Sequence, residues 1–212
     1  MSRASSPKTA GAVPPRPRTK PKEVRREELM DAAERLFLNK GVAATSVDEI
    51  VAAADVAKGT FYIHFESKEQ LLFALQRRFI AGFCRDFERA MNRHRAHDWK
   101  GRLRAWVEAG VDGYVDGTAL HDVVFHEFRP EDPREKHDNP IVDQLATFLR
   151  QGTRAGAWSV ETPHRTAVML FHALHGALDD ALAGANEVNR KRLSRTLSRT
   201  IETFFQRAIG LA

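Results

Sequence analysis

Apolar residues recur every three or four positions through most of the chain, and this spacing favours α-helices. The first helix is expected over residues 23–39, with Leu29, Ala33, Leu36 and Phe37 along one face and Gly41 ending it. No segment alternates apolar and polar residues as a half-buried strand would. The pattern therefore predicts an all-α protein of about nine helices.

Residues 45–72 predict two short helices joined by a tight turn, followed by the start of a longer helix. Ser46 and Glu49 have the spacing of a capping box, which starts the first of the two. Asp55 interrupts that helix, and the second begins near Ala57. The positions expected to face the interior of this unit are Val47, Ile50, Val51, Phe61 and Phe65.

The second short helix leaves a mixed set of donors and aromatic rings for another surface. Ser67 and Gln70 repeat the capping-box spacing, so Lys68 lies in the first turn of the longer helix, where free amides favour an anion such as phosphate. Two helices with a short turn place the second one in the major groove of DNA, where each base pair presents a distinct pattern of donors and acceptors. The segment thus predicts a helix-turn-helix that binds double-stranded DNA.

Residues 25–72 resemble the DNA-binding domain of TetR-family transcriptional regulators. The resemblance is carried by AAERLF at 32–37 with Gly41, by TSVDEI at 45–50, and by KGTFYIHFESKEQLL at 58–72. A match of this length, in the correct order and spacing, is more specific than a lone short motif. It implies an all-α fold in which a three-helix helix-turn-helix DNA-binding domain precedes a larger helical domain for ligand binding and dimerisation.

The resemblance also implies DNA contacts for individual positions. Lys58 and Gly59 are expected to approach bases or phosphates, while Thr60 and Ile63 would face base edges. Gly59 has a second interpretation as a packing glycine, and Lys68 has one as a solvated lysine. Val47 stands where many relatives place a hydroxyl that touches DNA. The implied phosphate contacts are Thr45, Tyr62, His64 and Lys68.

Six helical segments are expected after the two short helices. The first, over residues 67–92, links the two domains, and apolar groups at 103–114, 121–128 and 141–149 predict three more. Prolines at 130, 133 and 140 place a polar loop before the last of these three. Thr162 with Pro163 starts the eighth helix. The ninth carries an apolar stripe at Leu193, Leu197, Ile201, Phe204 and Ala208.

The stripe on the ninth helix is too long and too apolar for a solvated terminal helix, so it requires a partner surface. Packing within the chain would satisfy it, but the resemblance implies a homodimer in which the last two helices of both copies form a four-helix bundle. Two recognition helices would then lie about one DNA turn (~34 Å) apart and would bind a palindromic operator. The expected domains are an arm (1–22), a helix-turn-helix domain (23–68) and a ligand-binding and dimerisation domain (69–212).

The formal charge of +5 is unevenly distributed. Residues 1–22 hold six basic residues and no acid, so the rest of the chain carries a net −1. The same segment holds five of the nine prolines, a composition that favours a disordered or polyproline-like arm. The arm either follows DNA, as basic arms do in other folds, or is a solubilising tail. In both cases the helical domain must bind DNA through side chains and amides at specific positions and not through an excess of positive charge.

The chain has no run of about 18 apolar residues that could span a membrane, and its proline-rich start has no apolar core of a signal peptide. Cys84 is the only cysteine, so no intrachain disulfide is possible, which agrees with a reducing compartment. A cytoplasmic protein is therefore expected. No G-x-S-x-G elbow, phosphate-binding glycine loop or Cys-x-x-Cys pair is present, so neither an enzyme nor a cofactor is expected.

The resemblance implies that the larger domain binds a small-molecule effector of unknown identity. The expected protein is thus a repressor that an effector releases from its operator, and a DNA-binding structural or partner-recruiting protein with no effector is one alternative. Aromatic residues at helical spacing could line an apolar pocket, although they are also ordinary core residues. The pocket candidates are Trp106, Tyr114, Phe125, His126, Phe148, Phe171 and His175.

Histidine spacing gives a second alternative, a metal-responsive regulator. His172, His175 and Asp179 lie at i, i+3 and i+7 on one predicted helix face, and imidazole with carboxylate suits zinc, nickel or copper. A hydrogen-bonded pair of His175 and Asp179 explains the same residues without a metal. Further ligands could come from a nearby predicted helix that holds His121, His126 and Glu127.

Overall fold

The computed structural model describes residues 21–126, 139–183 and 187–211, which form eight helices and no strand. The first four helices are α1 Lys22–Lys40, α2 Val47–Ala53, α3 Lys58–His64 and α4 Lys68–Met91. The other four are α5 Trp99–His126, α6 Pro140–Arg154, α7 Pro163–Leu182 and α8 Glu187–Ala208. The all-α class that the apolar spacing predicts is confirmed.

One helix, α5, covers the two apolar groups that the pattern assigns to separate helices. Gly113 and Gly117 do not interrupt it, because both lie where α4 packs closely against it. A β-carbon at Gly113 would lie 2.9 Å from the Phe83 ring, and one at Gly117 would lie 3.1 Å from the Phe79 ring. The proline-marked loop falls on residues 127–138, outside the described part of the chain.

Side-chain caps fix where two of the helices begin. The Glu49 amide donates to Ser46 Oγ at 3.3 Å and the Ser46 amide donates to Glu49 Oε2 at 2.9 Å, so the predicted capping box of α2 is present. At α4 only half of the second box forms. The Gln70 amide donates to Ser67 Oγ at 3.2 Å, but the Gln70 side chain donates to Glu66 instead of returning to Ser67.

The first hydrophobic core lies among α1, α2 and α3 and receives residues from α4 and α5 as well. Helix α5 contributes Val123 and Val124, and the Gln76 side-chain amide of α4 donates to the Val124 carbonyl at 3.3 Å. This core continues into α4 past residue 68, where the sequence places the domain boundary. Buried residues at its centre include Leu29, Phe37, Ile50, Phe61, Leu71 and Leu72.

Arg78 on α4 fastens α1 from outside this core. Its Nη1 atom lies 2.9 Å from Glu27 Oε2 and 2.7 Å from Asp31 Oδ1, and its Nη2 atom lies 2.6 Å from Glu34 Oε2. These three carboxylates follow one another on α1 at intervals of three or four residues, so they lie on one helix face. One guanidinium therefore ties α4 to about two turns of α1.

The second and larger core lies among α4, α5, α6, α7 and α8. Trp106 of α5 is fully buried, stacks on Phe87 of α4 at 4.5 Å between ring centroids, and lies 6.2 Å from the Phe205 ring of α8. Trp158 Nε1 donates to the Leu149 carbonyl at 2.9 Å, which closes the end of α6. None of the helices in the described ranges has the length and apolar content needed to cross a membrane.

Helix α8 divides its apolar residues between two sides. Ile201 and Phe205 are buried against the rest of the chain, as is Ile209 just after the helix, whereas Phe204 is 52% exposed and Ala208 is exposed. Neighbouring residues differ by about 100° around a helix, so Phe204 and Phe205 cannot share one face. The predicted stripe is corrected accordingly, since Ile201 faces inward while Phe204 and Ala208 face outward. The two stripe residues at the edge of the core are Leu193 and Leu197.

Candidate functional site

Helix α3 buries one side and presents the other to solvent. Phe61 is fully buried, while Tyr62 and Ile63 on the outer side are 55% and 66% exposed. Lys58 is exposed at the first turn, and Thr60 is half-buried beside it. Large side chains this exposed on an otherwise anchored helix mark a surface that can bind a partner.

Gly59 lies on the same outer side. A β-carbon built there would meet no atom within 4 Å, so internal packing does not require a glycine at this position. The packing interpretation of Gly59 is therefore not supported by its surroundings. The open backbone leaves room for a partner to approach α3 closely.

The turn before α3 depends on an unusual backbone conformation at Asp55. Its φ of 53° lies in the left-handed region, which Asp tolerates better than most residues because its short side chain can bond locally. Val56 N then donates to the Val51 carbonyl at 3.0 Å, which ends α2 and turns the chain toward α3. This turn sets the angle between the two short helices.

Thr45 and Lys68, two of the implied phosphate contacts, instead hold the loop before α2. Thr45 is 1% exposed, and its hydroxyl donates to the Gly41 carbonyl at 2.8 Å. Lys68 Nζ donates to the Val42 and Thr45 carbonyls at 2.7 and 2.8 Å. The Thr45 side chain thus lies inside the domain, away from the surface that the phosphate contact implied for it would require. Lys68 is half-buried and is more than the solvated lysine of the alternative interpretation.

Two ion pairs tie acidic residues of α2 to neighbouring lysines. Lys58 Nζ lies 2.7 Å from Asp48 Oδ1, and Lys40 Nζ lies 2.5 Å from Glu49 Oε1. The hydrogen bond from Lys40, helped by those from Ser46, lowers the pKa of Glu49 to about 2. Because Lys58 pairs with Asp48, the positive charge at the start of α3 is partly neutralised by a carboxylate of α2.

His64 lies at the last turn of α3 and is half-buried. Its Nδ1 atom is buried and has no hydrogen-bond partner among the described residues. Burial lowers the pKa of His64, and the positive charges of Lys22 and Arg26 lower it further. A neutral imidazole at this position can donate one hydrogen bond outward, which is what a phosphate contact requires.

The larger core contains a cavity of about 310 Å³ between α4, α5, α6 and α7. Five of the seven pocket candidates lie on its wall, namely Trp106, Tyr114, Phe125, Phe171 and His175. The wall also contains residues that the sequence did not predict as pocket candidates. These residues are Phe79, Ile80, Phe83, Phe87, Gly110, His121, Asn139, Ile141, His172 and Leu174.

Phe148 lies away from the cavity, contrary to its place among the pocket candidates. It is buried between Trp99 and Trp158, whose ring centroids lie 5.7 and 5.3 Å from its own, and the Arg102 guanidinium lies 5.1 Å from its ring. It belongs to an aromatic cluster that packs the end of α6. The side chain of His126 lies outside the described residues.

A hydrogen-bonded chain of polar side chains lies at one end of the cavity. His121 Nε2 and His175 Nε2 are 2.8 Å apart, so one of the two atoms donates and the other accepts. His175 Nδ1 lies 3.1 Å from Asp179 Oδ2, and the Tyr114 hydroxyl donates to the same carboxylate. Burial lowers the pKa of His121, which is 3% exposed.

This arrangement gives no support to the metal-responsive alternative. No group of three or more potential ligands converges among the described residues, even though His172, His175 and Asp179 share one helix. His172 is exposed, and the contacts of His175 and Asp179 are to each other and to neighbouring side chains. His126 and Glu127, the other proposed ligands, lie outside the described side chains.

Apolar side chains are also exposed on the outer side of α7 and α8. Met169 of α7 is 63% exposed, and Phe204 of α8 is 52% exposed. A β-carbon at Gly176 of α7 would meet nothing within 4 Å, so this part of the helix is open to close approach by another surface.

Known proteins match both parts of the chain. Residues 29–75 match the family model described as "Bacterial regulatory proteins, tetR family". The chain is 42% identical over 107 residues to the HTH-type transcriptional repressor KstR2 of Rhodococcus jostii, covering 50% of this chain and 45% of that protein. It is 36% identical over 127 residues to the HTH-type transcriptional activator FasR of Mycolicibacterium smegmatis, covering 60% and 57%. The chain thus matches about half the length of these curated relatives.

The whole fold also matches solved structures. A TetR-family transcriptional regulator from Syntrophomonas wolfei superposes with a TM-score of 0.71 over 91% of this chain and 98% of the other, at 18% identity. Such a likeness shows that the helical arrangement is shared over most of the chain.

Proposed function

We propose that this chain, which belongs to the TetR family of bacterial regulatory proteins, is a homodimeric transcriptional regulator whose hold on a palindromic operator is controlled by an apolar small molecule. The observation that carries the DNA-binding part is the outer side of α3, where Lys58, Gly59, Tyr62 and Ile63 are exposed above a fixed core. The proposed roles are base contacts for Thr60 and Ile63 and phosphate contacts for Tyr62 and His64.

The proposed DNA contacts of α3 depend on where its side chains are placed and not on a positive net charge. Residues 23–212 carry a net −1, and Lys58 is paired with Asp48. Lys68 supports DNA binding indirectly, because its two hydrogen bonds to backbone carbonyls fix the loop that leads into α2. The affinity for DNA therefore depends on α3 being held at the correct angle.

The outer sides of α7 and α8 support the dimer. Met169 and Phe204 are exposed in the single chain, and a second copy related by a twofold axis would bury both. The pairing would place two α3 helices against successive turns of one DNA face, which requires an operator with twofold symmetry.

The cavity supports control by an effector, because α4 belongs to both cores. Its Phe79, Phe83 and Phe87 line the cavity, while Leu71 and Leu72 lie in the core of the DNA-binding unit. An effector that prefers one position of α4 would shift the population of dimers able to bind DNA, with a typical coupling of about 1–3 kcal/mol. We propose repression as the result of binding, with the effector causing release.

The proposal is tested by selecting bound sequences from random double-stranded DNA with the full chain. We expect a palindrome to be enriched. Tyr62→Ala should then weaken binding to all sequences by about tenfold, whereas Thr60→Ala should change the preference at particular base pairs by about 1–3 kcal/mol.

Leu38→Ala serves as the control, because Leu38 is 44% exposed on α1 rather than on α3. It should leave affinity and preference unchanged. Failure to enrich any sequence would exclude sequence-specific binding. An equal loss on every DNA for both α3 variants would remove the division between base and phosphate contacts.

A further inference from the structure

The aromatic wall of the cavity contains a buried hydrogen-bond donor with no partner. Trp106 is fully buried, and its Nε1 atom makes no hydrogen bond with any described residue. An indole N–H can donate but cannot accept. A buried donor left unpaired is costly, so a molecule in the cavity that supplies an acceptor to it gains affinity.

Most of the other polar side chains at the cavity already have partners, and His172, which also lines it, is exposed. His121 and His175 bond to each other, His175 also pairs with Asp179, and Tyr114 donates to that carboxylate. The side-chain oxygen of Asn139 accepts from two amides at the start of α6. The Trp106 N–H is thus a buried donor on the wall that a ligand can satisfy without breaking an existing bond.

The charge on the wall limits the ligand further. None of the described residues that line the cavity is Lys, Arg, Asp or Glu. An anion would lose its hydration without meeting a positive side chain there, and Asp122 and Asp179 stand behind the two histidines. A cation would find the Asp179 carboxylate already bonded to Tyr114 and His175. The wall therefore favours an uncharged molecule.

The volume limits the size. A cavity of about 150 Å³ lined by aliphatic and aromatic side chains holds one benzene molecule. At about 310 Å³, this cavity has room for roughly two rings or an apolar chain of similar volume.

We propose that the effector is an uncharged, mainly apolar molecule with a hydrogen-bond acceptor, such as a carbonyl or ether oxygen, that bonds to Trp106 Nε1–H. This inference rests on the proposed function, because it names the chemical class of ligand for the proposed effector cavity. Recognition consists of the fit to the aromatic wall and of that one directed bond.

The test uses three neutral probes of nearly the same shape, in which two phenyl rings are joined by one atom. The linker is CH₂ in diphenylmethane, C=O in benzophenone and N–H in diphenylamine, so only benzophenone adds a strong acceptor. By calorimetric titration of the full chain, benzophenone should bind about tenfold more tightly than diphenylmethane. Diphenylamine should gain no such preference, and the anion diphenylacetate should bind more weakly than all three.

Trp106→Phe removes the donor and keeps an aromatic ring, so the ratio of the benzophenone and diphenylmethane affinities should fall to about one. Trp99→Phe is the matched control, because Trp99 packs against Phe148 and Trp158 and does not line the cavity. It should keep the tenfold ratio. If Trp106→Phe fails to fold, the comparison of probes on the unaltered chain still decides the question.

Equal affinities for benzophenone and diphenylmethane on the unaltered chain would overturn the inference, as would an unchanged ratio in Trp106→Phe or tightest binding of diphenylacetate. Operator affinity is measured separately with and without saturating benzophenone. Binding with the expected ratio but with no change in operator affinity would refute effector control through this cavity while leaving the ligand class established.

Discussion

The pairing of Lys58 with Asp48 shows how single residues set the affinity of a weakly charged surface. Lys58 Nζ lies 2.7 Å from the Asp48 carboxylate, and both side chains are more than half exposed. Phosphate would compete with Asp48 for the same ammonium group. The acid therefore reduces the attraction of α3 for any DNA, which leaves more of the binding energy to base contacts.

Asp48→Asn should raise the affinity for unrelated DNA more than the affinity for the operator. We expect an increase of about threefold on unrelated sequences at low salt and a steeper dependence on salt concentration. Fluorescence anisotropy with operator and scrambled duplexes measures both. Asp86→Asn is the control, because it removes the same charge from an exposed pair with Arg89 on α4, outside α3. If both variants changed the affinity for DNA equally, the effect would come from net charge and not from the contact between Asp48 and Lys58.

His121 gives stability a dependence on pH. Its burial keeps the pKa in the folded chain below the ordinary value of 6.5, so the unfolded chain takes up a proton first as the pH falls. The contribution to stability is therefore complete above pH 6.5 and is lost as the pH falls toward the lower, folded pKa. Burial lowers the pKa of His64 too, so both histidines act in the same direction.

His121→Gln should flatten this decline, because glutamine keeps hydrogen-bonding groups but does not titrate in this range. Urea unfolding at a series of pH values between about 7.5 and 5 measures the slope. His164→Gln is the control, since His164 is 61% exposed on α7. An unchanged slope in His121→Gln would show that the buried histidine is not the source.

The face of α3 could be predicted at the residue level because its signals are local. The caps of the two flanking helices locate α3 along the chain, and the spacing of Phe61 and Phe65 indicates which of its side chains point outward. The positions of Thr45 and Lys68 could not be predicted in this way. Their partners are backbone carbonyls in the loop after α1, and the path of that loop depends on how the helices pack.

At the level of helices, glycines decide how closely two elements approach. A β-carbon at Gly152 of α6 would lie 2.0 Å from the Trp158 ring, which is buried and bonded through Nε1 to Leu149. The ring also packs against Trp99 and Phe148, so it has little room to move. Gly152 is therefore required for the end of α6.

Gly152→Ala should destabilise the protein by about 2 kcal/mol or more, because overpacking a filled core outweighs the better helix propensity of alanine. Gly82→Ala is the matched control. Gly82 also lies inside a helix, but a β-carbon there would meet only the end of Arg85 at 4.0 Å. That change should stabilise by up to about 1 kcal/mol. Urea unfolding of both variants provides the comparison, and a loss in Gly82→Ala equal to that in Gly152→Ala would contradict the role of the Trp158 contact.

Helix positions could be predicted well from the apolar spacing, but the join within α5 could not. Glycine lowers helix propensity, and Gly113 and Gly117 stand between two apolar groups. They are helical because α4 places Phe83 and Phe79 against them, which is tertiary information. The same contact explains why the phenylalanines of α4 were missed as cavity residues. The sequence pattern assigns this helix the role of linking the two domains, and it does not indicate that Phe79, Phe83 and Phe87 also line a cavity.

At the scale of the whole molecule, the two cores are connected twice. Helix α4 passes from the cavity to the DNA-binding unit, where Arg78 fastens it to three carboxylates of α1. Near its C-terminal end, helix α5 places His121 and Phe125 at the cavity and Val123 and Val124 in the first core. A ligand between these helices thus touches both connections.

Binding to a palindromic operator requires a dimer, and substitutions on the outer sides of α7 and α8 test whether the two copies pair there. Phe204→Glu and Met169→Glu should each convert the protein to a monomer in light scattering, because a carboxylate would be buried in the contact. Loss of the second recognition helix should lower operator affinity at least about a hundredfold. Leu38→Glu is the control, since it adds the same charge at an exposed apolar residue of α1. A dimer that survives both substitutions would show that the copies pair elsewhere, and the spacing of the operator halves would then have to follow from that other interface.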